Sequence, residues 1–133
     1  MRCLVRKIVV KETPEEYVRQ ETLHHLLSFF PSHLIAVEVS LKKLSPLQKV
    51  PNRRVDIVCF TPCLLSPSLL IECKASCPKT EVFDQLLGYN YFIRAQAIGI
   101  AWPENISIRS NQKILYEGEI NMIPRSLVTA PKS

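Results

Sequence analysis

The stretch RVDIVCFTPCLLSPSLLIECKA, residues 54–75, decides the fold and the chemistry together. It contains two β-rich runs, RVDIVCF (54–60) and SLLIECKA (68–75), joined by a segment with prolines at 62 and 67. Side chains two apart in a strand share a face. Glu72 and Lys74 therefore project together, opposite Ile71, Cys73 and Ala75. On the first run Asp56 shares a face with Arg54, Val58 and Phe60. An antiparallel hairpin centred on Leu64 sets Asp56 opposite Glu72 and Arg54 opposite Lys74 by symmetry.

Directly opposed side chains have Cβ atoms roughly 4.5–5.5 Å apart, and like charges there repel. Two carboxylates so placed need a shared proton or a cation between them. A hard divalent ion such as Mg²⁺ suits an oxygen-only pair and keeps waters for a phosphate substrate. It would polarise a phosphoryl oxygen and acidify an attacking water. Lys74 is placed to orient that water or to neutralise charge developing on phosphorus. The same spacing also allows a solvated cross-strand salt-bridge cluster of Asp56, Glu72, Lys74 and Arg54. The apolar context of LLIECKA, typical of a central strand, favours the first alternative, because ionised groups there are costly without partners.

Outward from this hairpin, the pattern predicts a helix over 14–29. Thr13 caps it, Pro14 takes the first helical position, and Glu16 completes the capping-box spacing. Leu23, Leu26, Leu27 and Phe30 supply its buried stripe. LIAVEVSLKK alternates as a strand, with Ile35, Val37, Val39 and Leu41 on one face and Glu38 and Ser40 on the other. Lys42, Lys43, Lys49, Arg53 and Arg54 fall in a basic loop over 42–54. A second helix is predicted over 81–94, with Glu81 and Asp84 in its first turn. In QAIGIAW (96–102), Ile98, Ile100 and Trp102 point one way. Ala97, Gly99 and Ala101 leave a smooth face for a helix. Pro103 stops that strand, a short strand follows near 113–117, and the tail after about 125 is expected to be loose. The order α-β-β-β-α-β is that of an α+β, or mixed α/β, domain with a central mixed sheet flanked by helices.

Composition fits one domain over 1–133, with its core over about 13–102 and a C-terminal extension over 103–133. The 133 residues are 47% hydrophobic and 22% charged, which is too apolar for global disorder. A net charge of +5 mildly favours a polyanionic partner. No stretch approaches the roughly 20 apolar residues of a spanning helix, and the first residues break into charge too early for a secretion signal. Five cysteines, an odd number, read best as reduced thiols in a cytoplasmic protein.

The blocks DIVCF (56–60), LIECKA (70–75) and FDQLLGYN (83–90) resemble the PD-(D/E)xK nuclease superfamily. They look most like the N-terminal nuclease domain of type I restriction enzyme R subunits and its stand-alone relatives. The similarity runs from Thr13 to Trp102 and includes TPEEYVRQ on the first helix. It implies a restriction-endonuclease-like αβββαβ core and Mg²⁺- or Mn²⁺-dependent phosphodiester hydrolysis in DNA. By position, Asp56 and Glu72 match the metal-binding acids and Lys74 the catalytic lysine. The backbone carbonyl of Cys73 is a further implied ligand. Gln85 matches the glutamine of the following helix, and Tyr89 shares its face four residues on. A first-helix glutamate often completes such a site. Glu15, Glu16 and Glu21 are the choices, with Glu16 preferred although a capping box already explains it. Arg19 and Gln20 match the family's VRQ and either touch the reaction centre or brace the helix. Val55–Asp56 stands where the family has its usual PD.

Other features carry less. No G-x-x-x-x-G-K-[ST] loop is present, so neither an ATP motor nor a nucleotide cofactor carries over. Cys59, Cys63, Cys73 and Cys77 form two C-x₃-C pairs, which read better as core cysteines than as thiolate ligands. His24, His25 and His33 lack a third ligand at a convincing spacing. Glu38 is either a solvated residue or a metal contact. The basic loop would follow a DNA backbone or stay solvated. A domain this small is expected to need a second copy or a partner subunit to cut both strands of a duplex. A non-catalytic nucleic-acid-binding or assembly module that keeps the fold is the rival outcome.

Overall fold

Thr13 has extended backbone, and its hydroxyl accepts the Glu16 N–H at 3.1 Å. Helix α1 then runs Pro14–Leu26, ending short of the predicted Phe29. Its inward face carries the expected Leu23 and Leu26, and also Glu16, Arg19 and Thr22, all buried. The capping box is half made. Thr13 N–H donates to Lys11 O, while the Glu16 carboxylate turns inward to Arg19 and Gln20. Thr13→Ala is expected to cost about 1 kcal/mol, read as a lower urea midpoint at unchanged slope.

The computed structural model describes residues 2–62, 66–110 and 113–128. Six strands form one sheet in sequential order: β1 (Ile35–Ser40), β2 (Arg54–Phe60), β3 (Pro67–Cys73), β4 (Ala97–Trp102), β5 (Asn105–Ser110) and β6 (Lys113–Glu119). Only β3 and β4 run parallel, and helix α3 (Thr80–Ile93) makes the crossover between them. Arg94, predicted inside that helix, instead closes it in the left-handed region, at φ 62°. The Asn90 side chain then brackets Ala95, accepting its N–H and donating to its C=O. This is an α+β restriction-endonuclease-like fold.

Two apolar layers cover the sheet. One joins Val18, Leu23 and Leu26 of α1 to Ile57, Cys59, Ile71, Ala97 and Ala101. The small face of β4 is thus where α1 packs, as the pattern predicts. The other joins Phe83, Leu86 and Ile93 of α3 to Val58, Leu70, Ile98 and Ile100.

The predicted hairpin register holds. Ile57 pairs with Ile71, Val58 with Leu70 and Cys59 with Leu69, and a bulge then brings Phe60 opposite Pro67. Continued by one pair, this register aligns Asp56 with Glu72. Leu64, the predicted centre, and Cys63 lie outside the described residues.

The predicted single stripe on β1 is corrected. Ile35 and Val37 join the α1 layer, whereas Val39 and Leu41 join the α3 layer. Glu38, between them, has left-handed backbone at φ 53°. Its partner strand does the same: Ile57 lies in the first layer and Val55 in the second. Both strands change layers at Glu38 and Asp56, which turns those residues edge-on between the layers. Leu41 does not continue the strand. It begins α2 (Leu41–Leu44), capped by Ser40, so the segment predicted as a basic loop starts on a helical turn.

The pattern also misses β5. Residues 103–119 do not merely extend a finished core; they add two strands to the sheet. Ile106 and Ile108 are fully buried, which contributes on the order of 3–6 kcal/mol, comparable with a domain's whole net stability. Pro103 and Glu104, the latter at φ 67°, turn the chain so that Asn105 faces Trp102. Of the tail, Arg125–Val128 form a short helix, α4, and 129–133 lie outside the described residues.

Candidate active site

The ladder between β2 and β3 has Ile57–Ile71 as its last regular pair, and beyond it carboxylates take the place of backbone acceptors. Asp56 Oδ2 accepts the Cys73 N–H at 2.7 Å, and Glu72 Oε1 accepts the Asp56 N–H at 3.3 Å. Each acid is thus held by the other's strand. Burial and the neighbouring Asp56 charge push the Glu72 carboxyl up to about 7, against the pull of the Asp56 N–H, Lys74 and Arg19. Among the described residues Asp56 is salt-bridged to Arg19 and Glu72 makes no salt bridge.

Arg19 is the hub of the neighbouring ion cluster. Its Nη2 lies 2.9 Å from Asp56 Oδ1, and its Nη1 lies 2.7 Å from Glu16 and 3.3 Å from Glu38. Its side chain is only 7% exposed. Gln20 extends the cluster outward. Its Nε2 donates to Glu16 at 2.6 Å, and its Oε1 accepts the Leu4 N–H at 2.8 Å. Glu38, aligned across the strands with Asp56, is held from outside by Arg6 at 2.9 Å.

The structure therefore brings together Asp56, Glu72, Glu16, Arg19 and Gln20. Among the first-helix acids, Glu15 is exposed and Glu21 accepts the Glu104 N–H, so Glu16 alone enters the cluster. It does so through Arg19. Lys74 follows β3, half-buried, with its N–H on Ala101 O at 2.8 Å. Gln85 is exposed on α3 and Tyr89 is half-buried against the α3 layer. No hydrogen bond within the cluster reaches either one. Lys42, Lys43, Lys49, Arg53 and Arg54 are all exposed. Arg54 takes no part in the ion cluster, which corrects the salt-bridge alternative: Arg19 and Arg6 supply its cations.

Cys59 and Cys73 are buried free thiols and Cys77 is an exposed one. Burial pushes the Cys59 thiol up to about 12 and raises Cys73 as well. His25 packs edge-to-face on Phe29, while His24 and His33 are exposed.

Arg6 is the residue the sequence reading misses, because it precedes the first predicted element. The turn that carries it has a signal in hindsight: Cys3, Leu4 and Val5 are apolar, just ahead of Arg6 and Lys7.

The donor set fits a hard divalent ion. Asp56 and Glu72 offer oxygens alone, and the raised Glu72 carboxyl marks a place where a cation would be stabilised. Among the described residues no three His, Cys, Asp or Glu side chains converge as a ready-made cage. Two carboxylates with waters completing the shell is the usual arrangement for Mg²⁺. No helix among the described residues is long and apolar enough to cross a membrane.

Comparison with curated proteins and with solved structures returned no match. Residues 14–113 match the family described as the type I restriction enzyme R protein N terminus. That span contains both acids, Lys74, Arg19 and the α3 crossover, and three quarters of the chain. The chain belongs to this family, as a nuclease-like domain of the type I restriction R protein N terminus.

Proposed function

We propose that this chain hydrolyses phosphodiester bonds in DNA, using Mg²⁺ or Mn²⁺ held by Asp56 and Glu72 with the Cys73 carbonyl. Such an ion, if held by these residues, would supply a Lewis acid for a phosphoryl oxygen and would make an attacking water more acidic. The observation that carries this reading is the mutual hold of the two acids across β2 and β3. It presents two carboxylates in a fixed, partly buried place, with the Glu72 carboxyl raised by burial and by the Asp56 charge beside it.

The chain's own groups do the rest. Arg19 fixes Asp56 Oδ1, orienting that carboxylate. Glu16 acts at one remove, by holding Arg19. Lys74 sits two residues beyond Glu72, where its ammonium orients the water or meets charge developing on phosphorus. Gln85 and Tyr89 on α3 face substrate, and the exposed basic side chains of the 42–54 segment lie along the DNA backbone. A second copy or a partner subunit completes a double-strand cut.

Plasmid DNA incubated with Mg²⁺ tests this. The parent is expected to nick or linearise it, Asp56→Ala to leave it intact, and Lys74→Ala to slow cleavage about 10²-fold or more. Equal rates for Lys74→Ala and the parent would sink the mechanism. One observation favours the rival, a non-catalytic binding or assembly module: Arg19 and Arg6 already pair with Glu16, Glu38 and Asp56. DNA binding without metal-dependent cutting is the outcome that supports it.

A further inference from the structure

Arg6 stands on a turn that precedes the matched family segment, yet that turn is built onto the acid cluster. Cys3 N–H bonds to Ile8 O, Lys7 N–H bonds to Cys3 O, and Lys7 takes a left-handed φ of 60°. Cys3 is fully buried, which pins the turn to the α1 layer. The Leu4 N–H on Gln20 ties it to α1. The Arg6 side chain is therefore positioned by folded structure.

Its bonding is incomplete. A guanidinium offers five N–H donors, and Arg6 directs Nη1 to Glu38 while its side chain also lies against the Cys3 thiol. Its Nε–H is buried without a partner. Glu38 is meanwhile shared with Arg19, which already holds Glu16 and Asp56. Arg6 is the outer of the two guanidiniums, 26% exposed against 7% for Arg19.

Charge points the same way. Glu16, Glu38, Asp56 and Glu72 carry four negative charges when ionised, and Arg6, Arg19 and Lys74 carry three positive ones. A divalent ion on Asp56 and Glu72 reverses the balance to one net positive charge. Arg6 is then the more accessible guanidinium beside the site, half-buried, with Nη donors beyond the one on Glu38 in the planar fork that suits phosphate oxygens. Arg2, Lys7 and Lys11 are exposed on the same segment.

We infer that Arg6 is a phosphate-binding residue, donating to the non-bridging oxygens of a DNA phosphodiester next to the one at the metal. Glu38 holds the guanidinium in place until DNA arrives. This rests on the proposed DNA-hydrolase reading and adds a contact from outside the family segment.

The test is fluorescence anisotropy of a labelled DNA duplex with the full chain, in Ca²⁺, over a range of salt. Neutralising one phosphate contributes about 0.9 to the slope of log affinity against log salt. Arg6→Gln is expected to lower the slope by that amount, so that its affinity falls about threefold less than the parent's between 50 and 200 mM salt. Arg6→Lys is expected to keep the slope, and Lys113→Gln, on the far edge of the sheet, to leave it unchanged. Glu38→Gln frees Arg6 and is expected to tighten binding. An unchanged slope in Arg6→Gln overturns the inference, as does an equal drop in Lys113→Gln. If Arg6→Gln fails to fold, Glu38→Gln decides: binding no tighter than the parent's overturns it. Plasmid cleavage is scored separately. A parent that binds without cutting sinks the hydrolase and leaves Arg6 standing, and one that cuts while Arg6→Gln keeps its slope does the reverse.

Discussion

Arg19→Met is expected to lower the melting temperature by about 10–20 °C. Arg19 is 6% exposed and meets three carboxylates. Removing one partner of a buried ion pair costs about 3–5 kcal/mol, because the charge left behind is neither solvated nor matched. A domain of this size loses a few degrees per kcal/mol, which gives the range quoted. Most of the cost should come from Glu16 and Asp56, with side chains 9% and 21% exposed. Glu38, at 37%, is screened by water and contributes less. Arg19→Lys should recover part of the loss, since an ammonium restores the charge but cannot span Glu16 and Asp56 as a planar fork does. A melt of Arg19→Met within two or three degrees of the parent's would show that the cluster does not hold the fold.

Glu72→Gln should move stability and activity in opposite directions. The Glu72 carboxyl titrates at about 7 in the fold, raised first by burial and then by Asp56, against an ordinary value of 4.5. The folded state therefore binds this proton more tightly than the unfolded chain. Its contribution to stability is present at low pH, falls as pH rises from about 4.5 to about 7, and stays lost above that. The full effect is on the order of 3 kcal/mol or less. Glutamine cannot ionise, so at pH 8 and without metal the variant should melt higher than the parent, and near pH 4 the two should converge. Mg²⁺ should raise the parent's melting temperature at pH 8, by binding the ionised pair, and do so far less in the variant. Plasmid cleavage should fall at least 10²-fold with the lost ligand. A variant no more stable than the parent at pH 8 would mean that Glu72 is not under charge strain.

How far these effects could be read from the sequence varied by element. The hairpin register was legible because two β-rich runs flank a short proline-marked link, and a hairpin is symmetric about its middle. That alone aligned Asp56 with Glu72. The smooth side of β4 was legible because Ala97, Gly99 and Ala101 leave little else for that face to be. The change of layer at Glu38 was not legible. A period of two continues unbroken through Val37 and Val39, and only the left-handed backbone at Glu38 reveals the crossing. Glu16 was half legible. Its spacing from Thr13 is that of a capping box, but competition from Arg19 takes the carboxylate inward. β5 was missed although Ile106 and Ile108 alternate with Asn105 and Ser107, because the run is short and follows a proline. Arg19 was legible only through the VRQ resemblance, and Arg6 was the least legible residue of the cluster, since it reaches Glu38 from a turn ahead of every predicted element.

The single parallel seam between β3 and β4 divides the molecule into two meanders, β1–β2–β3 and β4–β5–β6. Within each meander, neighbours in the sheet are neighbours in sequence, so closing them costs little loop entropy. The seam must wait for α3 to fold and swing the chain across, which makes it the slow, long-range step. Asp56, Glu72 and the Arg19 contacts all belong to the first meander and its preceding helix. Lys74 is the exception: its backbone is anchored on Ala101, across the seam. The acids can therefore gather early in folding, while the lysine acquires its backbone anchor only when the two halves zip together.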